Sequence, residues 1–132
     1  MKVFLDTNVW LSAVVFAGLC EALLAQCADN DWLVTTPLVR EEAREVLERK
    51  FPHLPVAQTL FDQVWSAAVC LQDVAEPADD NDVRLVAAAK AAGVDFFVTG
   101  DRRVLAWASA GQMKIVNPRQ AWLALFASNP NS

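Results

Sequence analysis

Apolar residues recur along this chain in two rhythms. Short runs at residues 3–5, 32–34, 69–71, 96–98 and 115–116 show no polar alternation, the pattern of strands covered on both faces of a sheet. Between them, longer stretches repeat their apolar positions every three or four residues. These predict helices over residues 8–16, 19–28, 38–50, 56–68, 82–92 and 102–109, and a last one capped by Asn117-Pro118. The punctuation agrees with this division. Gly18 separates the first two helices, Thr36-Pro37 supplies a cap followed by proline at the first helical position, and Gly93 ends the helix that Asp82 begins. Strands alternating with helices imply right-handed crossovers, and so an α/β fold: a three-layer α/β/α sandwich with a central parallel sheet. No linker or repeat interrupts the alternation. A single domain over residues 1–127 is expected, followed by a flexible tail at 128–132.

With 132 residues and a 55 % hydrophobic share, such a domain buries its core without disulfides or a structural metal. No apolar run approaches the roughly 20 residues of a membrane span, and no signal-peptide pattern precedes the first strand. These features predict a soluble, cytoplasmic protein. Cys20, Cys27 and Cys70 lack metal-site spacing and lie in apolar contexts, so they are expected as buried, reduced thiols. The net charge of -5 argues against a broad basic face that grips long nucleic acid.

The inventory narrows the chemistry further. His53 is the only histidine and sits between prolines in a loop, and there is no tyrosine, which excludes a metal-free two-histidine nuclease. No nucleophile elbow accompanies that histidine, and the four glycines form neither a P-loop nor a dinucleotide fingerprint. Carboxylate and metal chemistry remains.

Four acids stand where such chemistry belongs. Asp6 ends the first strand, Asp101 follows the strand at 96–99, and Glu42 and Asp82 lie in the early turns of helices. Ligands of open α/β sheets bind outside the carboxyl ends of the strands, so acids far apart in sequence meet there. Their repulsion calls for a counter-ion, and a hard divalent cation, Mg²⁺ or Mn²⁺, takes oxygen ligands. Arg102 and Arg103, directly after Asp101, are candidates to hold substrate phosphates. Each acid also has a plainer reading. Asp79 and Asp80 suit helix caps, Asp82 suits a helix dipole, and Glu42 is one charge among Glu41, Arg44, Glu45, Glu48 and Arg49. Trp10 could stack a base, but among Val9, Leu11 and Val14 it reads as core or dimer contact.

Taken together, Leu5-Asp6-Thr7-Asn8-Val9, Glu42 on the helix after Thr36-Pro37, Asp82 opening an alanine-rich helix and Val98-Thr99-Gly100-Asp101 resemble a PIN domain. The similarity spans nearly the whole chain and is nearest to toxins of toxin-antitoxin pairs, the VapC-like group. It implies a metal-dependent endoribonuclease whose acids are Asp6, Glu42, Asp82 and Asp101, supported by Thr99 and Asn8. One feature departs from the family pattern: Asp79-Asp80-Asn81-Asp82 stands where a compact acidic pair is usual. Spacing from Asp101 favours Asp82, with Asp80 in reserve; Glu45 is the reserve for Glu42. The resemblance also implies a homodimer and an inhibitory antitoxin partner, and the apolar surplus from Val9 to Leu24 points to the same association. Two rivals come from other classes. A haloacid-dehalogenase-like phosphatase needs a second Asp where Asn8 stands, and a non-cleaving RNA- or antitoxin-binding module would share the fold.

Overall fold

A computed structural model describes residues 1–127. The tail expected at 128–132 lies outside the described residues. In chain order the elements are β1 (Val3–Leu5), α1 (Thr7–Val15), α2 (Leu19–Asp29), β2 (Leu33–Thr35), α3 (Pro37–Lys50), α4 (Pro55–Trp65), β3 (Val69–Cys70), α5 (Asn81–Ala91), β4 (Phe96–Val98), α6 (Arg102–Leu105), β5 (Ser109–Ala110), β6 (Met113–Val116) and α7 (Pro118–Leu125). The six strands form one sheet in the order β3-β2-β1-β4-β6-β5. All neighbours pair in parallel except β5 with β6. Helices cover both faces, because every residue of β1 and β2 is buried.

That strand order contains a reversal. From β1 the chain steps outward to β2 and β3, then returns to lay β4 on the other side of β1. Loops leaving β1 and β4 therefore diverge, opening a crevice at their carboxyl ends. Register aligns the two strands closely: Leu5 pairs with Val98, and Phe4 stacks on Phe97 with ring centroids 5.1 Å apart. The next residues, Asp6 and Thr99, leave the sheet side by side.

The first helices depart from expectation in an informative way. The apolar surplus read as a sign of association is mostly used inside the chain: Val9, Trp10, Leu11, Val14, Leu23 and Leu24 are buried, while Phe16 and Leu19 stay exposed. The reason is that α1 packs against three helices, α2, α3 and α4, rather than presenting one stripe to the sheet. Trp10 is fully buried against Phe61 and Trp65, with centroids at 5.0 and 6.0 Å, so it is core. Among the described residues no single helix is long and apolar enough to cross a membrane.

Other corrections are local. Thr36 precedes α3 as its N-cap but makes no side-chain capping bond. Cys27 is buried as expected, and Cys70 is exposed because β3 is the sheet's edge. The helix expected over 102–109 stops at Leu105, after which Ala108 takes a φ of 63° and the chain turns into β5. Gly111, with φ 62°, makes the tight turn into β6, so the sheet carries one antiparallel edge. Gly93, with φ 72°, ends α5 as the sequence suggests.

Candidate active site

Each acid owes its position to the element beside it. Asp6 is the N-cap of α1, and its carboxylate accepts the Thr7 backbone N–H at 2.7 Å. It also accepts the Thr99 hydroxyl at 2.7 Å, across the β1–β4 seam. Thr99 in turn accepts the backbone N–H of Asp101 at 3.0 Å, so one buried hydroxyl ties the loops of both strands together. Asp101 caps α6, accepting the N–H groups of Arg103 and Val104 at 2.8 and 3.2 Å.

Glu42 reaches the same crevice from α3. Its two oxygens accept the Thr7 hydroxyl at 2.6 Å and the Asn81 amide at 3.1 Å. Asn81 continues the network by accepting Arg84 Nη1 at 3.3 Å, while Arg84 Nε donates to the carbonyl of Val74 at 2.7 Å. Hydrogen bonds thus run from the end of β1 through α3 to the start of α5, fixing three elements around one point.

Charge in this crevice is poorly compensated. Asp6 is 4 % exposed, and burial pushes its carboxyl up to about 6 against the Thr99 and Thr7 hydrogen bonds, with Asp82 and Glu42 adding repulsion. Asp82 is also raised, first by desolvation and then by Asp101, partly offset by Arg103. Asp82 is therefore the acid of its run that feels the other three. Asp80 plays a different part. It caps α5 through Val83 N–H at 3.2 Å and pairs with Arg103, whose hydrogen bonds hold it below the usual carboxylate range. Glu45, exposed, pairs with Arg49 one turn on, while Glu42 faces the crevice.

The expected helpers divide. Thr99 supports Asp6 directly, whereas Asn8 is exposed and lines a small recess with Ser12, Cys20 and Gly100. The hydroxyl that serves an acid from the first loop is Thr7, which the sequence reading passed over although it stands in the same tripeptide. Asn81 and Arg84 were missed as well. An uncharged residue inside an acidic run reads as filler, and nothing local reveals that its amide meets a glutamate 39 positions away. Arg102 is exposed, while Arg103 lies over Trp107 at 5.2 Å and within 3.6 Å of Asp82. His53 is exposed in its loop and shares nothing with the site.

The donors suit a divalent cation. All are oxygens, and Asp6 is a buried carboxylate that accepts hydrogen bonds from Thr7 and Thr99 but pairs with no cationic side chain among the described residues, so it needs a proton or a metal ion beside it. Among the described residues no three carboxylates already stand around one point where an ion would fit. Mg²⁺ asks for less, since it is commonly held by one or two carboxylates with waters and substrate phosphates completing its shell.

Comparison with known proteins places this arrangement. The family model described as PIN domain matches residues 2–103, which contain all four acids. The chain belongs to the PIN-domain family. PIN domains are generally nucleases and typically use divalent metals, so this is a nuclease-type module. Among solved structures, the crystal structure of PAE2754 from Pyrobaculum aerophilum is similar with a TM-score of 0.70 at 17 % identity, covering 97 % of this chain and 91 % of that one. At that identity the likeness is one of fold. No curated protein sequence matches the chain.

Proposed function

We propose that this protein is a metal-dependent endoribonuclease that hydrolyses RNA phosphodiester bonds. The observation that carries the reading is a crevice at the β1–β4 switch point flanked by Asp6, Glu42, Asp82 and Asp101, in which Thr7, Thr99 and Asn81 hold Asp6, Glu42 and the Asp101 backbone in place and the buried Asp6 carboxylate has no cationic partner among the described residues. Asp6, Glu42, Asp82 and Asp101 would hold Mg²⁺ or Mn²⁺. When bound, such a cation lowers the pKa of a coordinated water and offsets charge on the phosphate.

The chain's own groups supply the rest. Thr99 orients the Asp6 carboxylate and, through its bond to Asp101 N–H, sets the spacing of the two strand-end acids. Thr7 and Asn81 occupy one lone pair on each Glu42 oxygen, leaving others directed at the crevice. Burial of Asp6 excludes water that would otherwise screen the site.

RNA as the substrate, a toxin role, an antitoxin partner and a homodimer rest on the motif resemblance. The specific test is cleavage of single-stranded RNA and DNA by protein stripped with chelator, before and after Mn²⁺ is restored. RNA cleavage only with metal is expected, and undiminished cleavage in excess chelator overturns the mechanism. A non-cleaving binding module is the second reading. It is favoured by the absence, among the described residues, of a ready-formed trio of carboxylates around one point. Binding of RNA without cleavage at any metal concentration decides for it. If a neighbouring reading frame encodes a small protein, its binding and suppression of cleavage tests the toxin role.

A further inference from the structure

We propose that Arg103 and Trp107 form a subsite for the nucleotide next to the scissile bond, Arg103 holding its phosphate and the apolar shelf around Trp107 taking its base, with Asp80 as the positioning residue. The inference rests on the nuclease reading above and extends it to substrate recognition.

The open depression beside the acids is lined by Glu42, Asp79, Asp80, Asn81, Asp82 and Arg103, which makes Arg103 its one cation among the described residues. Arg103 is also prearranged. Two of its nitrogens donate to the two oxygens of Asp80, and the guanidinium lies over the Trp107 ring at 5.2 Å. A guanidinium has five N–H donors, and Asp80 takes two. The other three have no hydrogen-bond partner among the described residues, and the side chain is 54 % exposed. Asp82, at 3.6 Å, is an ion-pair neighbour rather than a hydrogen-bond partner. Exposed Arg102 has neither anchor.

Continuity supplies the base site. Trp107 lines a shallow apolar shelf with Val83, Val86, Ala87 and Lys90, so shelf and acidic depression meet at the Arg103–Trp107 stack. Aromatic faces bind bases of any sequence, and a flanking lysine favours the next phosphate. The occupant that fits an apolar shelf between an arginine and a lysine is single-stranded RNA.

The test is steady-state cleavage of a short RNA by the Mn²⁺-loaded protein, with wild-type activity as the control for the nuclease reading. Arg103→Ala should raise KM about tenfold, more than it lowers kcat, and reduce the salt slope of binding by about one. Arg103→Lys should restore the slope and not the KM. Asp80→Asn should raise KM in the same manner while leaving the half-saturating Mn²⁺ concentration unchanged. Trp107→Ala should raise KM about fivefold or more. One abasic position in the RNA should do the same in wild type and add nothing in Trp107→Ala. An active wild type with Arg103→Ala unchanged in KM and slope, with Asp80→Asn shifted in its Mn²⁺ requirement, or with abasic and Trp107→Ala effects that simply multiply, overturns the subsite. An inactive wild type overturns the nuclease reading first.

Discussion

Asp6 carries the sharpest consequence at the scale of single residues. Its folded-state carboxyl sits near 6 against an ordinary 3.8, so the metal-free folded protein holds a proton that the unfolded chain has released. The associated stability is present below about pH 4 and is lost as pH rises through about 6, a difference of about 3 kcal/mol at about 1.4 kcal/mol per unit. Asp6→Asn should therefore flatten the fall in apo stability between pH 4 and 6 and leave the protein as stable as wild type or more so at pH 7. Denaturant melts across that range check it, and a variant weaker than wild type at pH 7 would make Asp6 a structural residue. Asp6 was legible because a strand-end carboxylate before Thr-Asn has no packing use. Thr7 was not, because a hydroxyl at a helix start reads equally well as an idle first-turn residue; only the approach of α3 gives it Glu42 as acceptor.

Among the elements, α5 separates a capping acid from a candidate ligand. Its N-terminus holds Asp79, Asp80 and Asp82 within four residues, yet only Asp80 accepts a capping N–H, while the carboxyl of Asp82 is pushed up first by burial and then by the charge of Asp101. Asp79 is exposed and caps nothing. Asp82→Ala should abolish cleavage as thoroughly as Asp6→Ala, and Asp80→Ala should lose about 1 kcal/mol of capping. Asp79→Ala should change neither activity nor stability measurably. Activity assays and thermal melts of the three variants check this ordering, and full activity in Asp82→Ala would move the ligand upstream. Sequence periodicity located α5 well, since Asp-rich punctuation and Gly93 bound it. It failed at β5, where two residues are too few to show any rhythm and the only trace was Gly111-Gln112, a two-residue turn.

The whole molecule was legible as an α/β sandwich because its buried strands are unbroken apolar runs, a signal that survives without knowing their order. Their order was not legible. Register between β1 and β4 comes from Phe4 on Phe97 and Leu5 beside Val98, contacts between residues 93 positions apart that no local pattern encodes. The same limit misled the reading of α1, whose all-round apolar surface meets α2, α3 and α4 of its own chain. A homodimer therefore draws no support from that surplus, and only Phe16 and Leu19 of the group remain exposed for it. Light scattering at micromolar concentration should return twice the 14.5 kDa chain mass if the motif resemblance extends to pairing. A mass of one chain removes the dimer and leaves the site untouched.

The central claim is that Asp6, Glu42, Asp82 and Asp101 form a site for a divalent cation, and metal-linked stability tests it without knowing the RNA target. Chelator-stripped protein is melted against rising Mn²⁺ alongside Asp6→Asn. Wild type should gain about 2.7 kcal/mol at a hundredfold excess over Kd, and the variant far less. No gain in wild type, or an equal gain in both proteins, would contradict the account.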